Sequence, residues 1–101
     1  IMKKKEILIL GSTGKLGCML LKYCKKNYIS IFATTCFSNE SLIKRQKKNY
    51  NIKNIFTLSN TNNKNDFVNL IKKTKFKIIY FLDYGAESLL YIDILLKSNS
   101  N

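Results

Sequence analysis

Three glycines, Gly11, Gly14 and Gly17, stand at three-residue spacing behind a short apolar run, Ile7-Leu8-Ile9-Leu10. Such a run is what a strand buried on both faces looks like. Glycines let a backbone turn sharply and let a phosphate approach its N–H groups. A strand, G-x-x-G-x-x-G and a helix in that order read as an anion cradle, with backbone N–H groups and the positive helix end facing a pyrophosphate. In this reading Gly11 makes the tight turn, Gly14 admits the pyrophosphate, and Gly17 lets the helix pack closely on the strand. Ser12 and Thr13 supply hydroxyl donors and Lys15 supplies charge. A glycine-rich turn that only packs a helix on a sheet is the alternative. The P-loop is excluded, because it needs four residues between its glycines and Ser or Thr after the lysine. Here two residues separate Gly11 from Gly14, and Leu16 follows Lys15.

The end of the second strand distinguishes the dinucleotides. NAD-binding turns carry an acid about 20 residues after the glycines, which accepts from a ribose hydroxyl. This chain has Thr34-Thr35-Cys36-Phe37-Ser38-Asn39 there, and no acid before Glu40. Ser38 and Asn39 can donate to a 2′-phosphate, and Lys44 or Arg45 is near enough in sequence to neutralise it. NADP is therefore favoured over NAD. The same two residues also suit a turn and a helix cap.

The elements that position these residues alternate along the chain. A strand over 7–10 leads through the glycine turn into a helix over 15–26. Leu16, Met19, Leu20, Tyr23 and Cys24 form its apolar face, and Asn27 is its stop. A second strand spans 29–34, a polar turn 35–39, and a helix capped by Asn39 spans 40–49, with Leu42 and Ile43 buried. A third strand spans 54–58 and an Asn-rich loop 59–65. A short helix capped by Asn65 or Asp66 then carries Phe67, Leu70 and Ile71. A fourth strand spans 77–82, a turn 83–88 and a last helix 89–97. Strand and helix alternating four times predict a single α/β domain over 1–101. It is a Rossmann-like, doubly wound parallel sheet with right-handed crossovers.

Composition sets the remaining bounds. The 101 residues allow one small domain, and 46% hydrophobic with 24% charged residues is ordinary for a globular protein. The net charge of +12 admits nucleic-acid binding. However, the lysines are scattered rather than gathered in a stripe with aromatics, so a solvated surface is the preferred reading. Three cysteines, no histidine and no C-x-x-C pair argue against a zinc site and a disulfide framework. Reduced thiols suit a cytoplasmic protein. No apolar run approaches the ~20 residues that span a bilayer, and the run behind Lys3-Lys4-Lys5 is too short for a signal peptide.

Beyond these general features, K-K-K-E-I-L-I-L-G-S-T-G-K-L-G resembles the amino-terminal end of the 1-deoxy-D-xylulose 5-phosphate reductoisomerase family, which begins with a strand and G-S-T-G-S-I-G. The likeness continues through Ile31-Phe32-Ala33, Ser38-Asn39, Leu42 to Gln46, Asn54 to Leu58 and Ile78 to Leu90. It covers nearly all of this chain but only about the first quarter of a family member. The resemblance implies NADPH as cofactor. Thr13, Gly14, Lys15 and Leu16 would line its pyrophosphate and adjacent ribose. Ser38 and Asn39 would meet the 2′-phosphate. Leu82, Asp83 and Tyr84 would lie beside the cofactor, with Gly85 turning the chain. Lys15 stands where the family usually has Ser, Phe37 where it has Gly, Ser88 where a second Gly is expected and Tyr91 where Pro is common. Asp83 and Tyr84 replace small apolar residues.

The family rearranges a phosphosugar ketone, holding Mg²⁺ or Mn²⁺ with carboxylates, then reduces it with hydride from NADPH to 2-C-methyl-D-erythritol 4-phosphate, an isoprenoid precursor. Family members can be homodimers. The metal ligands lie in segments this chain does not match. Asp66, Asp83, Glu87 and Asp93 are not spaced as a metal site. The chain is therefore expected to bind NADPH without catalysing the reaction alone, as the front fragment of a longer enzyme or a decayed remnant. Two other classes remain open. One is an unrelated short-chain-dehydrogenase-like NAD(P)-binding domain, although its Tyr-x-x-x-Lys pair is absent. The other is a basic nucleic-acid-binding module.

Overall fold

The computed structural model describes residues 4–83, 85 and 87–99. Its elements are β1 (Lys5–Leu10), α1 (Lys15–Lys26), β2 (Ala33–Cys36), α2 (Glu40–Tyr50), β3 (Asn54–Thr57), α3 (Thr61–Lys72), β4 (Phe76–Phe81) and α4 (Ser88–Asn99). The strands form one parallel sheet in the order β3-β2-β1-β4. This is the α/β, Rossmann-like arrangement that the alternation predicts. No helix among the described residues is long and apolar enough to cross a membrane.

The pleat of β1 builds both layers, because successive side chains point to opposite faces. Ile7 and Ile9 pack with Leu21 and Cys24 of α1, with Tyr50 of α2 against the same cluster. Leu8 and Leu10 pack with Phe67 and Ile71 of α3 and with Tyr91 and Leu95 of α4. Phe67 sits between the Phe56 and Tyr91 rings, each 5.3 Å away between centroids.

Several boundaries differ from those the sequence suggests. The second strand lies at Ala33–Cys36, not 29–34. Thr35 and Cys36 are not in a polar turn: they pair with Phe56 and Thr57 of β3, and both are buried. Hydroxyl residues are accommodated there because the Thr35 side chain accepts a 3.2 Å bond from Gly11 N–H. The helix expected from Asn65 or Asp66 begins at Thr61, capped by Asn60, whose side chain accepts from Asn63 N–H at 2.9 Å. Asparagine is a poor helix former, but burying Phe67 and Ile71 outweighs that. Asn63 is also used: its side chain accepts from Thr57 N–H of β3.

The first helix has the expected span, but its buried face differs. Gly17, Leu21 and Cys24 are buried, whereas Leu16, Met19 and Tyr23 are exposed. Asn27 follows the helix with φ −103°, and the left-handed residue is Tyr28, at φ 56°. Asn39 caps α2 as predicted, accepting from Leu42 N–H at 3.3 Å.

Two adjacent threonines of β2 make a test of this core. Thr34 Oγ1 is fully buried with no hydrogen-bond partner among the described residues. Burying an unpaired hydroxyl costs free energy that an isosteric methyl does not. Thr34→Val is expected to stabilise the protein by about 1 kcal/mol. Thr35→Val removes one of the two acceptors of Gly11 N–H, the side-chain oxygen at 3.2 Å, and leaves the Thr35 carbonyl at 3.1 Å. It is expected to destabilise the protein by about 0.5–1 kcal/mol. Urea unfolding of the two variants checks the opposite signs.

Candidate functional site

The glycine turn leaves the C-terminal end of β1 and enters α1. Gly11 has φ +93°, a conformation that favours glycine, and a Cβ there would lie 3.0 Å from the backbone after β4, at Leu82 and Asp83. Gly17 has no room for a side chain. Its Cβ would stand 2.5 Å from the Gly11 carbonyl oxygen and 2.6 Å from the Ser12 backbone. The first turn of α1 therefore rests directly on the loop it follows. This contact also turns Gly17, Leu21 and Cys24 inward. Around Gly14 a Cβ would meet nothing within 4 Å. The outer face of the turn is open at that position.

The backbone N–H groups divide into two sets. Those of Gly11 and Ser12 point back to the Thr35 carbonyl, at 3.1 and 2.9 Å. Those of Thr13, Gly14, Lys15, Leu16 and Gly17 have no acceptor among the described residues. The first bond of α1 runs from Cys18 N–H to the Gly14 carbonyl, at 2.9 Å. The N-cap residue, Gly14, has no side chain to cap the helix, and no acidic residue occupies the first turn. Unpaired donors and the positive end of the helix dipole thus lie together at the start of α1, where Gly14, Lys15 and Leu16 are exposed.

Ser12 does not belong to that row. It is fully buried, and its hydroxyl donates to Gln46 Oε1 at 2.9 Å. Gln46 Nε2 donates in return to the Ser12 carbonyl, also at 2.9 Å. The sequence assigns the Ser12 hydroxyl to a phosphate, but the fold turns it inward. Its partner lies on α2, 34 residues away in sequence, so spacing alone gives no signal for it.

Ser38 and Asn39 are exposed at the C-terminal end of β2, on the same sheet end as the glycine turn. The Asn39 side-chain oxygen is engaged by Leu42 N–H and, at 3.4 Å, by the Ser41 hydroxyl. Lys44 is drawn to Glu40 at 2.7 Å, one helical turn back. Leu82 and Asp83 follow β4 and lie against Gly11, with Leu82 N–H donating to the Leu10 carbonyl at 2.8 Å. Asp83 closes a small turn by accepting from Gly85 N–H at 3.0 Å. Tyr84 lies outside the described residues.

A cavity of about 340 Å³ opens at this end of the sheet, lined by Phe37, Leu58, Asp83, Gly85, Glu87, Ser88 and Tyr91. Phe37, Leu58 and Asp83 each follow a different strand, so the cavity was not visible as a local motif. One wall is a fixed network. Lys64 of α3 pairs with Glu87 at 2.7 Å, and the Tyr91 hydroxyl donates to the same carboxylate at 3.0 Å. The Lys64 bond, followed by the Tyr91 bond, holds the Glu87 carboxyl below its ordinary pKa. Burial, reinforced by the bond to Glu87, pushes the Tyr91 phenol well above its ordinary value. Sequence reasoning did not pair Glu87 with Tyr91; their four-residue spacing is the signal that could have found them.

The two inner glycines have different roles and so make a test. Gly17→Ala places a Cβ against the turn backbone and is expected to cost about 1–3 kcal/mol of stability. Gly14→Ala meets open space at φ −74° and is expected to cost no more than about 1 kcal/mol, the difference between Gly and Ala at an N-cap, while weakening any anion held at the turn. Thermal unfolding and pyrophosphate titration of both variants separate the effects.

No family model, curated protein or solved structure matches the chain.

Proposed function

We propose that the chain is an NADPH-binding domain of the kind that the 1-deoxy-D-xylulose 5-phosphate reductoisomerase resemblance implies. The observation that carries this reading is the run of unpaired N–H groups from Thr13 to Gly17 at an uncapped helix start, beside the open face of Gly14. Backbone donors and a helix N-terminus together favour a pyrophosphate. Lys15, exposed at the same place, adds a positive charge.

The cavity beyond the turn suits the adenosine end of the same ligand. Phe37 and Leu58 offer apolar surface to a purine, and Asp83 and Glu87 offer acceptors to its amino group. Ser38 and Asn39 are exposed at the end of β2 and can donate to a 2′-phosphate, with the Asn39 amide nitrogen as donor because its oxygen caps α2. Bound NADPH would supply a hydride. The metal-assisted rearrangement needs carboxylate ligands beyond those of this chain, so the proposed role here is cofactor binding. The phosphosugar would enter only where those ligands are supplied.

Titration with NADPH, NADH and a short DNA duplex at two salt concentrations tests the reading. Saturable binding is expected with NADPH tighter than NADH, because only NADPH carries the 2′-phosphate. Equal binding of the two would favour a short-chain-dehydrogenase-like domain. DNA affinity that falls steeply with salt, without any dinucleotide binding, would overturn the proposal in favour of a basic nucleic-acid-binding module.

A further inference from the structure

The first N–H of the unpaired run, that of Thr13, faces outward only while the peptide joining Ser12 to Thr13 is held in one orientation. In a trans peptide the C=O and the N–H point in opposite directions, and the described residues contain no cis peptide. The Ser12 carbonyl points into the protein, where Gln46 Nε2 donates to it at 2.9 Å. The Thr13 N–H of the same peptide is thereby turned away from α2 and out toward the open side. Gln46 is itself fixed. It is 3% exposed, its Oε1 accepts from the Ser12 hydroxyl at 2.9 Å, and its Nε2 lies 3.5 Å from Cys18 Sγ on α1.

The geometry points to Gln46 as the positioning residue of the anion cradle. From the middle of α2 it sets which way the Ser12–Thr13 peptide faces. This inference rests on the dinucleotide reading above and deepens it. Without the Gln46 amide, the Ser12 carbonyl keeps only a long contact from the Cys18 thiol, at 3.9 Å. A buried carbonyl without a good donor is costly. Rotating the peptide relieves that cost, but it brings the carbonyl oxygen into the cradle and takes the Thr13 N–H out. An oxygen there repels a phosphate that the N–H would have bound.

Two substitutions separate positioning from packing. Gln46→Met keeps the side chain's length and removes the amide donor. Ser12→Ala removes only the hydroxyl and leaves the bond from Nε2 to the carbonyl. Affinities of the full chain for NADPH and for inorganic pyrophosphate are measured by calorimetric titration, with the melting temperature of each variant. Gln46→Met is expected to lose about ten- to a hundredfold in affinity for both ligands. Ser12→Ala is expected to stay within about threefold of the parent chain, even where its melting temperature falls. A packing role would make affinity follow melting temperature in both variants, and that result overturns the inference. Should Gln46→Met not fold, Gln46→Glu at mildly alkaline pH replaces it, because the ionised carboxylate accepts from Ser12 but cannot donate. The same loss is expected, and unchanged affinity overturns the inference. A parent chain that binds neither ligand removes the dinucleotide reading and this inference with it. A parent chain that binds, with Gln46→Met binding equally, removes the inference alone.

Discussion

The absence of a side chain at Gly17 is the constraint on which the rest of the site depends. Its Cβ would lie 2.5 Å from the Gly11 carbonyl oxygen, far inside contact distance. The start of α1 can therefore seat on the turn that precedes it, and the rotation of the helix about its axis is decided there. Leu21 and Cys24 then meet Ile7 and Ile9 across the sheet, and Leu16, Met19 and Tyr23 are left to solvent. The N–H groups of Thr13 to Gly17 stay without acceptors among the described residues for a different reason: a helix start has no intrahelical partners for them, and Gly14 has no side chain to cap it.

The loop is held from three directions. β2 takes the N–H groups of Gly11 and Ser12 on the Thr35 carbonyl. The chain after β4 presses on Gly11 at Leu82 and Asp83. α2 grips Ser12 through Gln46. These contacts join successive βα units at the C-terminal end of a parallel sheet, where open α/β sheets bind ligands. The cavity beside Phe37, Leu58 and Tyr91 lies at the same end.

What was legible in the sequence was local. The apolar run of β1, the glycine turn and the Asn39 cap each declare themselves within a few residues. The alternation of elements was enough for the sheet class. Misreadings arose where a distant partner overrode local chemistry. Thr35 and Cys36 look like turn residues but are paired and buried because β3 and the glycine turn both use them. The asparagines after Ser59 look like a loop, but Asn60 caps α3 and Asn63 satisfies an N–H of β3. On α1 the apolar residues outnumber one face, and only the tight approach at Gly17 decides which stripe goes inward. The hydroxyl of Ser12 suits a phosphate equally well until Gln46 is brought against it.

The central claim is that the unpaired N–H groups from Thr13 to Gly17 are a dinucleotide's pyrophosphate site. Amide chemical-shift mapping of the isotopically labelled chain during NADPH addition tests it most directly. The account predicts that the amides of Thr13, Gly14, Lys15, Leu16 and Gly17 move most, together with those around Phe37 and Leu58. Shifts scattered over surface lysines with the turn unmoved, or no shift at saturating NADPH, would contradict it.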